Sequence, residues 1–182
     1  MARYLARARR ELLASFFQVN HSGELAADRI HSALWYVYRD DKQFQPIIEQ
    51  MWMQEIKHFQ YCSKQLVLLN GRKSFLTPLW ELCSLTLGYT SGMLGKQASM
   101  AATVAVEKTI SEHYDNQIRA LLIDDIDAHR EVIADLSQIR DDEQDHHDLA
   151  LANDAENTFG YDLFSSIISN GCKIAIQIAQ RI

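Results

Sequence analysis

The sequence predicts an all-α protein, a four-helix bundle with additional amphipathic helices beside it. Three observations carry that expectation. Only two prolines, Pro46 and Pro78, interrupt the 182 residues, so long helices can run unbroken. Apolar residues recur every three to four positions through four long stretches, the period of one helix face. Glu-x-x-His occurs twice inside such faces, as Glu55 to His58 and Glu143 to His146. Residues three apart on a helix lie on the same side about one turn along.

The chain reads as one domain, 1–182, long enough for a sizeable core. Its break signals are the Arg39-Asp40-Asp41 run before Pro46, Asn70-Gly71 with Pro78 soon after, Asp124-Asp125, and the stretch from Asn157 to Gly160. They predict helices near 22–39, 43–69, 97–122 and 127–154, paired as antiparallel hairpins over about 22–69 and 97–154. The first helix has a loose stripe of Phe17, Glu24, Ala27, His31 and Leu34. The second has Ile48, Met51, Glu55, His58, Cys62, Leu66 and Leu69. Met100, Val104, Glu107, Ile110, Tyr114, Ile118 and Leu121 mark the third, and Leu136, Ile139, Glu143, His146 and Ala150 the fourth.

Ahead of the first hairpin, Arg3, Arg7, Arg9 and Arg10 precede Leu12, Leu13, Phe16 and Phe17, which reads as an amphipathic first helix. A targeting presequence would place a longer segment before Glu24, and a basic amphipathic helix also suits an anionic membrane surface. Between the hairpins, the segment 76–95 is strongly apolar and carries no charge over 82–95. A C-terminal helix over 161–180 repeats Tyr161, Leu163, Phe164, Ile167, Ile168, Ile174, Ile176 and Ile178. Glycines, serines and flanking charges break both below the roughly 20 apolar residues that a spanning helix needs. In-plane insertion into one leaflet is the preferred reading; the alternative is a bundle cap or a subunit interface. The Gly88 to Gly92 spacing allows close helix packing.

A net charge of −6, with no basic cluster beyond the N-terminus, excludes nucleic acid as a partner. Cys62, Cys83 and Cys172 are odd in number and lack CxxC spacing, which points to structural cysteines in a reducing compartment. Cys62, on the core face, reads as a small apolar filler.

The chemistry lies in the repeated motif. Ten glutamates and seven histidines in this length would give about 0.4 Glu-x-x-His pairs by chance, so one copy means little. The order is more informative: Glu24 then a pair 31 residues on, Glu107 then a pair 36 residues on, the pattern of a duplicated hairpin. A charge on an apolar stripe must be paired or metal-bound. One glutamate from each of two helices plus Glu-x-x-His from each of two others is the ligand rule of di-iron and di-manganese bundles. Glu24, Glu55, His58, Glu107, Glu143 and His146 are therefore the expected metal ligands, a donor set suited to iron and manganese alike. The competing readings are a buried ion-pair network, an iron-oxidising ferritin relative, a manganese catalase or rubrerythrin-type peroxidase, and a helical lipid-binding scaffold whose inward carboxylates pair with arginines. Few basic residues lie on these stripes, which counts against the scaffold.

Residues around the ligands have weaker assignments. His21, one turn before Glu24, either steers that carboxylate or packs. Tyr114, two turns after Glu107 on the same face, is a core tyrosine or a group reaching the substrate pocket. Asp142, Asp145, His147 and Asp148 surround the second pair, where a ligating imidazole needs a hydrogen-bond partner.

The strings QVNHSGELAADRI, MWMQEIKHF, PLWELCSLTLGYTSGMLGK, MAATVAVEKTISEHYDNQIR, RDDEQDHHD and SIISNGCKIAIQIAQRI resemble successive signatures of the demethoxyubiquinone hydroxylase family of ubiquinone biosynthesis, from about Phe17 to the C-terminus. The resemblance implies a ferritin-like di-iron monooxygenase bound peripherally to a membrane, acting on the benzoquinone ring of demethoxyubiquinone with dioxygen and electrons from NADH. It matches the six metal ligands one for one and sets His113 and Tyr114 near two iron ions as candidate catalytic residues. It implies a polyprenyl quinone substrate, a membrane surface, a lipid-binding quinone-presenting protein and a homo-oligomer as partners. The location it implies is the mitochondrial inner membrane at its matrix face or a bacterial inner membrane at its cytoplasmic face. Two departures leave every ligand intact: Ser22, Leu25 and Ala26 surround Gly23-Glu24 where the family has alanine, an aromatic and glycine, and Gln97 stands at a commonly acidic position.

Overall fold

The computed structural model describes residues 2–181, with side chains from Ala6 onward; Arg3, part of the basic N-terminal stretch, has its side chain outside the described residues. Among those residues the protein is all-helical, with six α-helices, one 3₁₀ turn and no strand. It divides into two compact units, 1–93 with 174–182, and 94–173.

The first unit opens with α1, Ala2–Val37. The helix runs a full 36 residues, merging the basic amphipathic segment with the helix expected from position 22. The physical reason is local: no proline and only Gly23 interrupts a stretch rich in alanine, leucine and arginine, all strong helix formers. Arg7 Nε donates to Glu11 at 2.8 Å, an i,i+4 pair, and Arg10 Nε donates to the Leu69 carbonyl at 3.0 Å, satisfying an otherwise open helix end. The next helix, α2, is Gln45–Leu68, with Pro46 in its first turn, where the missing N–H costs nothing. Ahead of it, Asp41 Oδ1 accepts from the backbone N–H groups of Gln43 and Phe44. Its end is a Schellman motif: Asn70 adopts φ 51°, and the amides of Asn70 and Gly71 bond back to Val67 and Leu66.

The apolar connecting segment forms α3, Thr77–Leu94. It packs on α1 through glycine. A Cβ at Gly88 would sit 2.4 Å from the Ile30 carbonyl oxygen, and one at Gly92 would meet Val37 at 3.1 Å. Tyr38 Oη donates to the Gly92 carbonyl at 2.9 Å. The first unit also takes in the chain's last residues, where Gln18 Nε2 donates to the Ala179 carbonyl at 2.9 Å.

The second unit contains α4, Lys96–Asp124, and α5, Ile126–Ala152. Gly95, with φ 115°, begins α4 in a conformation that favours glycine. Asp125 separates the two helices in an extended conformation, and its side chain caps α5 by accepting from Ala128 N–H. His129 Nε2 donates to Asp124 Oδ2 at 2.7 Å, closing the same corner. A 3₁₀ turn at Ala155–Asn157 and Gly160 at φ 67° lead into α6, Tyr161–Ala179. Ser169 Oγ donates to the Ala105 carbonyl, holding the middle of α6 on α4.

All the stripe positions expected to face inward are buried except Leu69, which is half-buried at the α2 terminus. No helix among the described residues is long and apolar enough to cross a membrane. Exposed large apolar side chains concentrate on α3, at Leu79, Leu82, Leu85, Tyr89, Met93 and Leu94, and on α6, at Leu163, Ile167 and Ile174. The three cysteines are free. Cys62 is fully buried, as a core filler should be.

Candidate metal centre

Each unit brings together one set of two glutamates and a histidine. In the first, α1 supplies Glu24 and α2 supplies Glu55 and His58. Their ligand atoms lie within 4.8 Å of one another, with His58 Nδ1 3.6 Å from Glu24 Oε2 and 3.9 Å from Glu55 Oε2. The helix creates the second distance directly, because residues three apart are neighbours along one face. In the second unit, α4 supplies Glu107 and α5 supplies Glu143 and His146, again within 4.8 Å. His146 Nδ1 stands 3.5 Å from Glu143 Oε2.

All six side chains are buried, the carboxylates at no more than 1 % exposure. Ionised carboxylates at that depth require compensating positive charge. Among the described residues, no lysine or arginine is buried. A scaffold with its inward carboxylates paired to arginines is therefore disfavoured, whereas hard oxygen donors with an imidazole are the donor chemistry of a divalent first-row metal. The two sets fit such an ion.

Tyr114 is fully buried on α4, two turns beyond Glu107. His113, beside it, is half-buried, and its ring meets Tyr114 edge-on at 6.0 Å. Burial pushes its pKa down to about 4. Gln117 Nε2 lies 2.8 Å from His113 Nε2; the amide donates to the neutral ring. His21 is 1 % exposed, packs against Phe59 at 5.0 Å, and has its pKa lowered to about 4 by burial and then by the Lys73 charge. Around the second pair, Asp148 accepts from His147 and Gln144 at the surface, and these bonds hold its carboxyl below the usual range.

Sequence reasoning passed over Asp28 and Trp52. Asp28 is buried on α1, and Trp52 Nε1 donates to its Oδ1 at 2.7 Å. The available signal was an acidic residue four positions after Glu24, the same helix face.

A family model for "Ubiquinone biosynthesis protein COQ7" matches residues 11–179. The chain belongs to that family. Curated relatives agree with the match. It is 38% identical over 165 residues to a human protein named NADPH-dependent 3-demethoxyubiquinone 3-hydroxylase, mitochondrial, covering 91% of this chain and 76% of the relative. A Caenorhabditis elegans protein of the same name is 34% identical over 98% of this chain and 95% of its own length. A 3-demethoxyubiquinol 3-hydroxylase from Rhodospirillum rubrum is 29% identical over 94% of this chain and 79% of its own. The human and nematode names specify NADPH, where the resemblance in the sequence implied NADH.

Proposed function

We propose that this chain is a monooxygenase that hydroxylates the benzoquinone ring of demethoxyubiquinone in ubiquinone biosynthesis. The observation that carries the reading is the pair of buried Glu, Glu, His sets on a chain of this family. Glu24, Glu55 and His58 in one unit and Glu107, Glu143 and His146 in the other are the proposed ligands of two iron ions, the donor pattern of di-iron bundles. When bound, the iron pair supplies the activation of dioxygen. The balance of the reaction is one ring C–H, one dioxygen, two electrons and two protons giving one ring C–OH and one water.

The chain's own residues hold and orient. Buried carboxylates and imidazoles keep water from the donor atoms and fix their directions. His113 is neutral at physiological pH, its pKa near 4, so its Nε2 accepts from the Gln117 amide, which fixes the ring, and its remaining N–H, on Nδ1, is a donor. Tyr114, fully buried beside it, supplies the O–H donor of the pair. A reduced nicotinamide is the electron source, and no G-x-G-x-x-G motif is present in the sequence to hold it.

The exposed apolar side chains of α3 and α6 support peripheral binding to a membrane surface, which gives a polyprenyl quinone a route to the enzyme. The names of the animal relatives say mitochondrial, which supports a mitochondrial location; the inner membrane at its matrix face is the surface proposed. A homo-oligomer and a lipid-binding quinone-presenting protein complete the proposed assembly.

The test is mass-spectrometric detection of the oxygen-added quinone after the iron-loaded protein meets demethoxyubiquinone, air, and NADH or NADPH in parallel. The expected product forms with the native chain and falls by more than about 100-fold with Glu107→Ala, since even residues that only support ligands are worth about 10- to 100-fold. Iron binding and oxygen consumption without the product would replace this reading with a ferroxidase.

A further inference from the structure

Asp28 sits four residues after Glu24 on α1, and Trp52 three residues before Glu55 on α2. Because the two helices of the hairpin run in opposite directions, this places the Asp28 and Trp52 pair about one turn, roughly 5 Å, from the level of Glu24 and Glu55. The indole N–H donates to Asp28 Oδ1 at 2.7 Å. Asp28 is buried, its other oxygen is bound by Arg29 Nη1, and Arg29 Nη2 donates onward to Glu81 of α3 at 2.9 Å. The Trp52 ring meets Trp35 in a tilted contact at 5.8 Å between ring centroids. A hydrophobic contact could hold two helices together at any of several registers, whereas a buried directional hydrogen bond selects one.

We propose that Asp28 and Trp52 are positioning residues, whose hydrogen bond fixes the register of α1 against α2 so that Glu24, Glu55 and His58 present their donor atoms to one metal ion. The inference rests on the metal reading above. It assigns Asp28, a buried carboxylate, to alignment and leaves coordination to its neighbour Glu24. A metal site loses affinity when its supporting contacts let the ligands drift by a fraction of an ångström.

The experiment is a cobalt(II) titration of the full chain, followed by the visible ligand-field absorption of the bound ion, with thermal melting of the metal-free protein alongside. Trp52→Phe keeps the ring and removes only the N–H donor. The expected result is binding weakened about 10- to 100-fold, the range for lost supporting contacts, with altered bands for the ion held by Glu24, Glu55 and His58. Should Trp52→Phe fail to fold, Asp28→Leu removes the same bond from the other partner. Native spectra and affinity in the variant lacking the bond, or a Trp52→Phe defect confined to melting temperature, would overturn the inference while leaving the metal reading intact. A native chain that binds no cobalt would overturn both.

Discussion

At the scale of single residues, burial governs which groups ionise. His21 is a neutral imidazole in the folded protein, with its pKa near 4 against an ordinary 6.5. Between those two values the unfolded chain takes up a proton that the folded chain does not, so stability rises with pH through that window and is lost on acidification. Thermal melts of the metal-free protein between about pH 4 and pH 7 should show a falling melting temperature toward acid, with a shallower slope for His21→Phe. An unchanged slope in that variant would assign the acid sensitivity to other groups. The six proposed ligands were legible at this scale: an i,i+3 pair is a local property of a helix, and an acidic residue on an apolar stripe needs a partner whatever the rest of the chain does. Asp28 was less legible, because what distinguishes it is the indole of Trp52, and no spacing rule connects positions 24 residues apart on different helices.

At the scale of elements, close helix approach decides where small residues are obligatory. Gly88 faces the backbone of Ile30, with an added Cβ at 2.4 Å from its oxygen and 2.9 Å from its Cα. Backbone cannot swing aside as a flexible side chain can, so Gly88→Ala must push α3 from α1, at a cost of about 1–3 kcal/mol. Gly171, inside α6, has nothing within 4 Å of the same construction, and Gly171→Ala should gain about 0.5–1 kcal/mol from helix propensity alone. Calorimetric melts of both variants test the pair, and similar shifts in the two would contradict the packing argument. The Gly88 to Gly92 spacing flagged close packing in the sequence, but α1 as the helix it meets came from the fold. The Asp124-Asp125 break was legible for a chemical reason: Asp125 is an N-cap, and aspartate at that position satisfies an amide the helix leaves open. By contrast, the start of α1 was misplaced by about 20 residues, since no break signal separates the basic segment from the stripe that follows it.

At the scale of the whole molecule, the exposed apolar side chains are the feature a water-facing protein has least reason to keep. Leu163 is 69% exposed and Ile167 65%, one turn apart on α6. Sedimentation with anionic phospholipid vesicles should recover the native chain, and Leu163→Asp with Ile167→Asp should lower the bound fraction severalfold with unchanged helicity. Equal recovery of both proteins would remove α6 from the proposed membrane surface. The same reasoning separates the mechanisms of burial in the two classes of helix. The core faces of α2 and α5 carry their charged residues inward, where metal can neutralise them, while α3 and α6 carry apolar residues outward, where only lipid or another protein can cover them.

By itself, the sequence determined the helical class, the buried stripes, the two Glu-x-x-His pairs and the family, because each of these depends on residues within a few turns of one another or on the order of motifs along the chain. Only the tertiary structure decided that Glu24 joins Glu55 and His58 within 4.8 Å and that Glu107 joins Glu143 and His146 likewise, that Trp52 binds Asp28, and that α1 meets α3 at Gly88. These depend on the register between helices. Helical period says which face turns inward, but the axial offset between two inward faces is chosen by loop length, side-chain interdigitation and a few directional hydrogen bonds acting together.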